Sequence, residues 1–140
     1  MTAEIRRETA QIIHQIWSDG AYDKATLAAL RSSNSILSRN AIAVWPLLLS
    51  NMKKEELSQD GRPTYAERAV YSALRCYAIY QQGKNSDHLV YAPAGKAGDG
   101  QELFAALSGL RKTADTQKAL DRRVQTVLGN SNPESVINTI

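Results

Sequence analysis

The chain has 140 residues, which is enough for one ordinary domain or for two small helical bundles. Its 17 lysines and arginines against 14 aspartates and glutamates give a net charge of +3, which is compatible with a nucleic-acid partner but does not require one. A single cysteine excludes an intramolecular disulfide and a cysteine-rich metal site, and no apolar run is long enough to span a membrane, so we expect a cytoplasmic protein with no membrane partner.

Apolar residues at helical spacing predict three helices in the first third of the chain. The first helix has an apolar face of Ile5, Ile12, Ile13, Ile16 and Trp17. Asp23 is placed to cap the second helix, and Arg31 ends it, where a cation favours the helix dipole. Leu27 and Leu30 form the inner face of this second helix. Pro46 interrupts the third helix and predicts a kink or a restart there. The predicted inner face of the third helix comprises Ile42, Trp45, Leu48, Leu49 and Met52.

A long helix is predicted after the charged, turn-rich segment 53–63. Thr64 and Glu67 have the spacing of a capping box, which marks the first turn of a helix. Cys76 is expected to pack as a small apolar residue rather than to react, because no base or second thiol accompanies it. The predicted core face comprises Ala66, Ala69, Val70, Ala73, Leu74, Tyr77 and Ala78. The predicted flank of the same helix comprises Arg68, Tyr71 and Arg75.

A glycine-rich irregular segment separates this helix from the rest of the chain. Asp99 is placed to cap the next helix, with Glu102 closing the capping box. Arg111 and Lys112 form the basic end of that helix. Its predicted apolar face comprises Leu103, Phe104, Leu107 and Leu110.

The last complete helix is predicted from Asp115 to Ser131. Lys118 and Arg122 lie four apart on its polar side, and Arg123 lies at the boundary, where its stem can pack while its guanidinium stays in solvent. The predicted apolar stripe comprises Leu120, Val124, Val127 and Leu128. A fixed cationic fork of this kind can bind phosphate, although an ordinary solvated face is the alternative interpretation of this helix.

These elements predict an all-α fold made of two bundles. Gly129 is expected to stop the last complete helix, and Asn132-Pro133 to begin another. The predicted divisions are an N-terminal helical bundle (1–82), an irregular loop or linker (83–98) and a partial C-terminal helical bundle (99–140).

Signatures of catalysis are missing from the sequence. Gly95-Lys96 has the ending of a phosphate-binding loop, but Val90 stands where that loop needs a glycine and Ala97 where it needs serine or threonine. His14 adjoins an apolar face and is interpreted as packed or surface. An enzyme that uses Asp87-His88 is the weakest alternative, because no nucleophile can be placed beside it. We predict no catalytic residue, no metal and no cofactor.

Binding is the function that the charge distribution favours. Cations spread along the chain suit contact with the backbone of an extended nucleic acid better than base recognition at one point. The candidate nucleic-acid-binding residues are Arg31, Arg68, Arg75, Lys96, Arg111, Lys112, Lys118, Arg122 and Arg123.

The order of these segments resembles the small subunit of the type I-E CRISPR Cascade complex, the CasB family. The residues that carry the resemblance are Ala28-Ala29-Leu30-Arg31, Val44-Trp45-Pro46-Leu47, Ala73-Leu74, Gly100 to Leu110 and Ala119 to Leu128. The resemblance implies a non-catalytic helical protein, present in two copies beside the guide RNA, the target DNA and the other Cascade subunits. Such a subunit helps to hold the displaced strand and stabilises the R-loop in antiviral defence.

The resemblance supports some of the candidate residues more directly than others. Arg31 and Arg122-Arg123 match basic positions of the family, and Arg111-Lys112 lies close to another. Val124 departs from the family, which has an aromatic residue there. The chain stops at Ile140, so we expect the C-terminal bundle to lack helices that the family has. The alternative function is a helical protein-interaction module without intrinsic nucleic-acid binding.

Overall fold

The structure is a computed structural model that describes residues 2–17, 23–84, 100–132 and 135–136. Those residues form six α-helices and three short 3-10 helices, which confirms the all-α prediction. The α-helices are α1 (Thr2–Ile16), α2 (Lys24–Ser32), α3 (Trp45–Asn51), α4 (Tyr65–Gln81), α5 (Leu103–Gly109) and α6 (Ala114–Leu128). The 3-10 helices are Arg39–Ala43, Lys54–Glu56 and Leu110–Lys112. None of the helices described is long and apolar enough to cross a membrane.

The chain forms two compact units, Met1–Val90 and Tyr91–Ile140. In the first unit α4 is the central helix, because α1, α2 and α3 all pack against it. The fully buried side chains at this centre include Ile12, Leu27, Leu30, Leu48, Val70 and Leu74. Burying one leucine or isoleucine side chain contributes about 2 kcal/mol, so this cluster supplies the main driving force for folding of the unit.

The caps of α2 and α4 form as the sequence predicts. The Asp23 carboxylate accepts a hydrogen bond from the Thr26 N–H at 3.0 Å. The Thr64 hydroxyl accepts from the Glu67 N–H at 3.1 Å, and the Glu67 carboxylate accepts in return from the Thr64 N–H at 2.7 Å. Both helices therefore have their first free N–H groups satisfied by side chains.

The region around Pro46 restarts as a new helix, as predicted, but its buried face is different. The 3-10 helix Arg39–Ala43 precedes it, and α3 begins at Trp45 with the proline in its first turn. Ile42 and Leu49 were predicted to be buried, and this is wrong, because they are 64% and 55% exposed. A 3-10 helix turns through more degrees per residue than an α-helix, so the apolar face does not continue across the junction. The buried residues are Ala41, Val44, Leu48 and Met52.

The core face of α4 is confirmed in part. Val70, Leu74, Tyr77 and Ala78 are buried. Ala69 and Ala73 are exposed, and so is Cys76, which corrects the prediction that these three residues pack inside. Tyr71, predicted to lie on the flank, is buried instead, because α2 packs on that side of the helix and Ser33 hydrogen-bonds the Tyr71 hydroxyl.

In the second unit α5 packs on the 3-10 helix Leu110–Lys112, which in turn packs on α6. Glu102 was predicted to close a capping box, but it is itself the N-cap residue and makes no side-chain cap bond. Asp99, its predicted partner, lies outside the described residues. The α6 helix ends at Gly129 as predicted. Ser135 and Val136 are helical, and the Val136 N–H donates to the Asn132 carbonyl at 3.1 Å. The rest of the helix predicted from Asn132-Pro133 lies outside the described residues.

The predicted apolar faces of the second unit are half-buried at best. Leu107, Leu120 and Val127 are half-buried. The remaining members of both faces are exposed, which corrects the prediction for Leu103, Phe104, Leu110, Val124 and Leu128. The periodicity thus identified the helices correctly, while the described part of the unit provides no surface that covers these side chains.

We expect a buried carboxyl in α1 to make the stability of the first unit depend on pH. Glu8 is 2% exposed, and its Oε2 has no hydrogen-bond partner among the described residues. Burial raises the pKa of Glu8, and the neighbouring Glu56 raises it further, while Lys53 opposes the shift. Lys53 also forms an ion pair with Glu4, so its positive charge acts on the carboxylates of both Glu4 and Glu8.

We expect Glu8→Gln to raise the free energy of unfolding by about 1 kcal/mol at pH 7. The folded state binds the Glu8 proton more tightly than the unfolded state. Ionised Glu8 therefore lowers the free energy of unfolding of the wild type at pH values above the folded-state pKa. This penalty declines as the pH falls through the folded-state pKa and is gone below the unfolded-state pKa, so the two proteins should converge in acid. Urea unfolding between pH 4 and 8 measures the difference.

The matched control is Glu4→Gln on the same helix. The hydrogen bond and charge of Lys53 lower the pKa of Glu4, so this variant should be slightly less stable at neutral pH. A Glu8→Gln variant that is less stable than the wild type at pH 7 would contradict the prediction.

Candidate nucleic-acid interface

The predicted binding cations are divided between the two units. Arg31, Arg68 and Arg75 belong to the first unit, and all three are half-buried. Five cations belong to the second unit, where all are exposed: Arg111, Lys112, Lys118, Arg122 and Arg123. Lys96 lies outside the described residues. Burial therefore separates the candidates into a partly enclosed group and an open group.

In the first unit the end of α2 lies against the second half of α4. An Arg31 Nη1 donates to the Ala78 carbonyl oxygen at 3.3 Å. In a continued helix this carbonyl would bind the Gln82 N–H, but that N–H donates to the Ile79 carbonyl instead. Arg31 thus provides a donor to a carbonyl at the end of α4, where a cation also favours the helix dipole.

A second arginine meets the same junction. An Arg75 Nη2 donates to the Asn34 Oδ1 at 3.5 Å, just beyond the end of α2. At the same junction, burial raises the pKa of Tyr71, although the Ser33 hydrogen bond partly opposes the shift. Arg31 and Arg75 are far apart in sequence, and each makes a hydrogen bond across the junction of α2 and α4.

In the second unit α6 presents cations on the side away from its own packing. Its half-buried positions are Gln117, Leu120, Asp121 and Val127, which share one side of the helix. Lys118 and Arg122 are exposed on the other side, four residues and about 6 Å apart along the axis. Within the described residues neither makes an ion pair. Arg123, also exposed, lies about 100° further around the helix. This arrangement can contact consecutive phosphates without reading bases.

One cation of the second unit is partly neutralised. An Arg111 Nη1 contacts the Asp121 Oδ1 at 3.0 Å, so the 3-10 helix is tied to α6 by an ion pair. Both side chains are about half exposed, so the pair contributes less than about 1 kcal/mol. Asp121 was not predicted from the sequence as the residue that partly neutralises the charge of Arg111. The intervening Thr113 helix cap was the available signal, because it folds Arg111 back beside α6.

The two histidines that were considered for catalysis, His14 and His88, lie in different parts of the chain. His14 is exposed at an open groove between α1 and α3, lined also by Gln11, Gln15, Ser50 and Asn51. An Asn51 Nδ2 donates to the Gln15 Oε1 at 2.9 Å across this groove. Its lining therefore consists of amides, a hydroxyl and the imidazole. Asp87-His88 lies outside the described residues, among which no group of three metal-ligating side chains occurs.

Comparison with known proteins identifies the family. The sequence profile of the family described as CRISPR-associated protein Cse2 matches residues 26–140, from α2 onward. Searches of curated proteins and of solved structures gave no match. The profile covers more than half of the chain and confirms the resemblance carried by the α2, Pro46 and α6 segments. The chain therefore belongs to the Cse2 (CasB) family of CRISPR-associated proteins, the small subunit of the type I-E Cascade complex.

Proposed function

We propose that the chain is a non-catalytic Cascade subunit that holds nucleic-acid backbone and thereby stabilises the R-loop in antiviral defence. The observation that carries the proposal is the exposed pair Lys118 and Arg122 on α6, which points away from the packed side of the helix. Its partners would be the phosphates of the guide RNA or target DNA, in a complex with other Cascade subunits and with a second copy of this chain.

The energetics of an R-loop make such weak contacts useful. The RNA–DNA duplex that forms is about as stable as the DNA duplex that is lost, so modest contacts with the backbone can shift the balance. Two phosphate contacts from lysine and arginine are sequence-independent. They can therefore support any target that the guide RNA selects.

The nine candidate cations do not contribute equally in this proposal. Lys112, Lys118 and Arg122 keep their charge available, and Arg123 is exposed beside them. Arg111 shares its charge with Asp121, and Arg31 is engaged with α4. We therefore assign the main backbone contact to α6. The half-buried arginines of the first unit are not assigned to this main contact.

The test is the salt dependence of nucleic-acid binding by the assembled complex. Lys118→Ala with Arg122→Ala should reduce the slope of log affinity against log salt by about 1.4 on single strands and about 1.8 on duplex. Target affinity should fall correspondingly in filter binding or fluorescence anisotropy at 50–200 mM salt. Folding should be unchanged, because both side chains are exposed.

Lys54→Ala with Arg62→Ala is the matched control, since it removes the same charge from exposed positions of the first unit. This control should leave the slope within error of the wild type. Equal slopes for the α6 variant and the wild type would contradict the assignment.

The alternative function, a protein-interaction module, is supported by the apolar side chains exposed on α5 and α6. Leu103 and Phe104 are largely in solvent, which is typical of a surface that another protein covers. An α6 variant that assembles normally and binds target DNA with wild-type affinity would favour this function.

A further inference from the structure

The outward face of α4 carries no charge, although it lies in solvent. Its members are Tyr65, Ala69, Ala73, Cys76, Ile79 and Tyr80. The two tyrosines are 91% and 74% exposed. The opposite face of the same helix forms the core of the first unit, through Val70, Leu74 and Ala78. A helix that is apolar on both sides is typical of a helix that is covered on both sides.

The shape of this face fits another helix. Tyr65 and Tyr80 stand at its ends, about 22 Å apart along the axis. Between them Ala69, Ala73 and Cys76 are small, so a second helix can approach closely. Each tyrosine offers on the order of 150–200 Å² for burial. Single apolar residues scattered over a surface are normal, whereas a contiguous apolar area of this size indicates contact with another molecule.

The charges along one edge of this face indicate which kind of molecule can bind it. Arg68 and Arg75 lie on one edge of the face, two turns or about 10 Å apart. The only acidic residue of α4, Glu67, is buried on the core side. A second copy of this face would therefore bring cations against cations and offer no carboxylate. A nucleic acid would place most of its phosphates over the uncharged centre of the face, because the two half-buried arginines lie at one edge only.

We propose that this face docks an amphipathic helix of another Cascade subunit. That helix carries small apolar residues toward Ala69 and Ala73, and acidic residues along the edge that meets Arg68 and Arg75. The complementarity is apolar at the centre and ionic at the edge, as in other helix-in-groove contacts. The proposal uses the family assignment but does not depend on the phosphate contact of α6.

The sole cysteine of the chain is a native probe of this surface. Cys76 lies in the middle of the face and is exposed. In the free chain it should react with a thiol reagent such as dithionitrobenzoate at the rate of an open thiol. In Cascade purified after co-expression of all subunits with guide RNA, the modification of Cys76, followed by the mass of this chain, should be at least tenfold slower. Equal rates in the two states would overturn the proposal.

A charge placed on the face provides the second measurement. Ala73→Glu should retain the circular dichroism and melting temperature of the wild type, because the position is exposed, but should reduce incorporation into Cascade at least tenfold. Ala28→Glu, the same change at an exposed position of α2, should assemble normally. Normal incorporation of Ala73→Glu would overturn the proposal.

The other possible occupants give different patterns. Protection of Cys76 in the isolated chain that increases with protein concentration would identify a second copy as the occupant. Protection produced by single-stranded DNA or guide RNA alone would identify nucleic acid. Either pattern overturns the proposal and leaves the α6 assignment standing, because the salt slope of the α6 variant is measured separately.

Discussion

Replacing Glu67 by alanine is expected to lower the free energy of unfolding of the first unit by about 3 kcal/mol. This carboxylate is 1% exposed, and both of its oxygens are used. Oε1 accepts from the Ser58 N–H at 3.0 Å, and Oε2 accepts from the Thr64 N–H at 2.7 Å. Removing it leaves two N–H groups without an acceptor and opens a cavity beside the core. Urea unfolding followed by circular dichroism measures the loss.

Glu67→Gln separates the two contributions. Glutamine keeps the volume and one acceptor oxygen, but its amide nitrogen cannot accept from the second N–H. We expect a loss between the wild type and alanine, near half of the alanine effect. Alanine and wild-type proteins of equal stability would show that the bonds from Ser58 and Thr64 contribute nothing.

Replacing Arg31 by alanine is expected to cost about 2 kcal/mol in the absence of any nucleic acid. The buried Ala78 carbonyl then loses its Arg31 donor, and the half-buried stem of the arginine no longer covers the junction of α2 and α4. Thermal unfolding of the free chain is the measurement.

Arg31→Lys tests the role of the guanidinium at the same position. The lysine keeps the charge beside the end of α4 but has a shorter reach and no planar fork, so it should recover part of the stability. If Arg31→Ala melts like the wild type and weakens only nucleic-acid binding, Arg31 acts as a phosphate ligand and its structural assignment is wrong.

The helices and caps of this protein could be predicted because their signals are local. Asp23, Thr64 and Glu67 cap helices within three residues of their own positions, and Pro46 marks a restart by its own geometry. Val70, Leu74 and Tyr77 were predicted inside α4 correctly, because large apolar side chains fix the orientation of a helix. Tyr71 was predicted wrongly, because its burial depends on the tertiary contact with α2. Alanine and cysteine give no such orientation, because they are tolerated on either side of a helix.

The role of Arg31 could not be predicted, because its acceptor is a backbone carbonyl 47 residues away. Every residue but proline has the same backbone groups, so nothing in the sequence marks Ala78 as the partner. The cations of α6 were easier to place, since one helix contains both the packed stripe and the pair Lys118 and Arg122. Their contact with phosphate stays a prediction.

The two units differ in one respect that affects how α6 would work. Among the residues that the structure describes, the buried side chains lie between residues 8 and 81, whereas no side chain between residues 100 and 132 is buried. Local opening of α6 therefore needs little free energy, and its amide protons should exchange with solvent faster than those of α4. When α6 binds a nucleic-acid strand, the helix has to become ordered and therefore loses conformational entropy. Anything that orders this helix beforehand, such as a neighbouring subunit, increases its affinity for the strand without adding a single new contact to it.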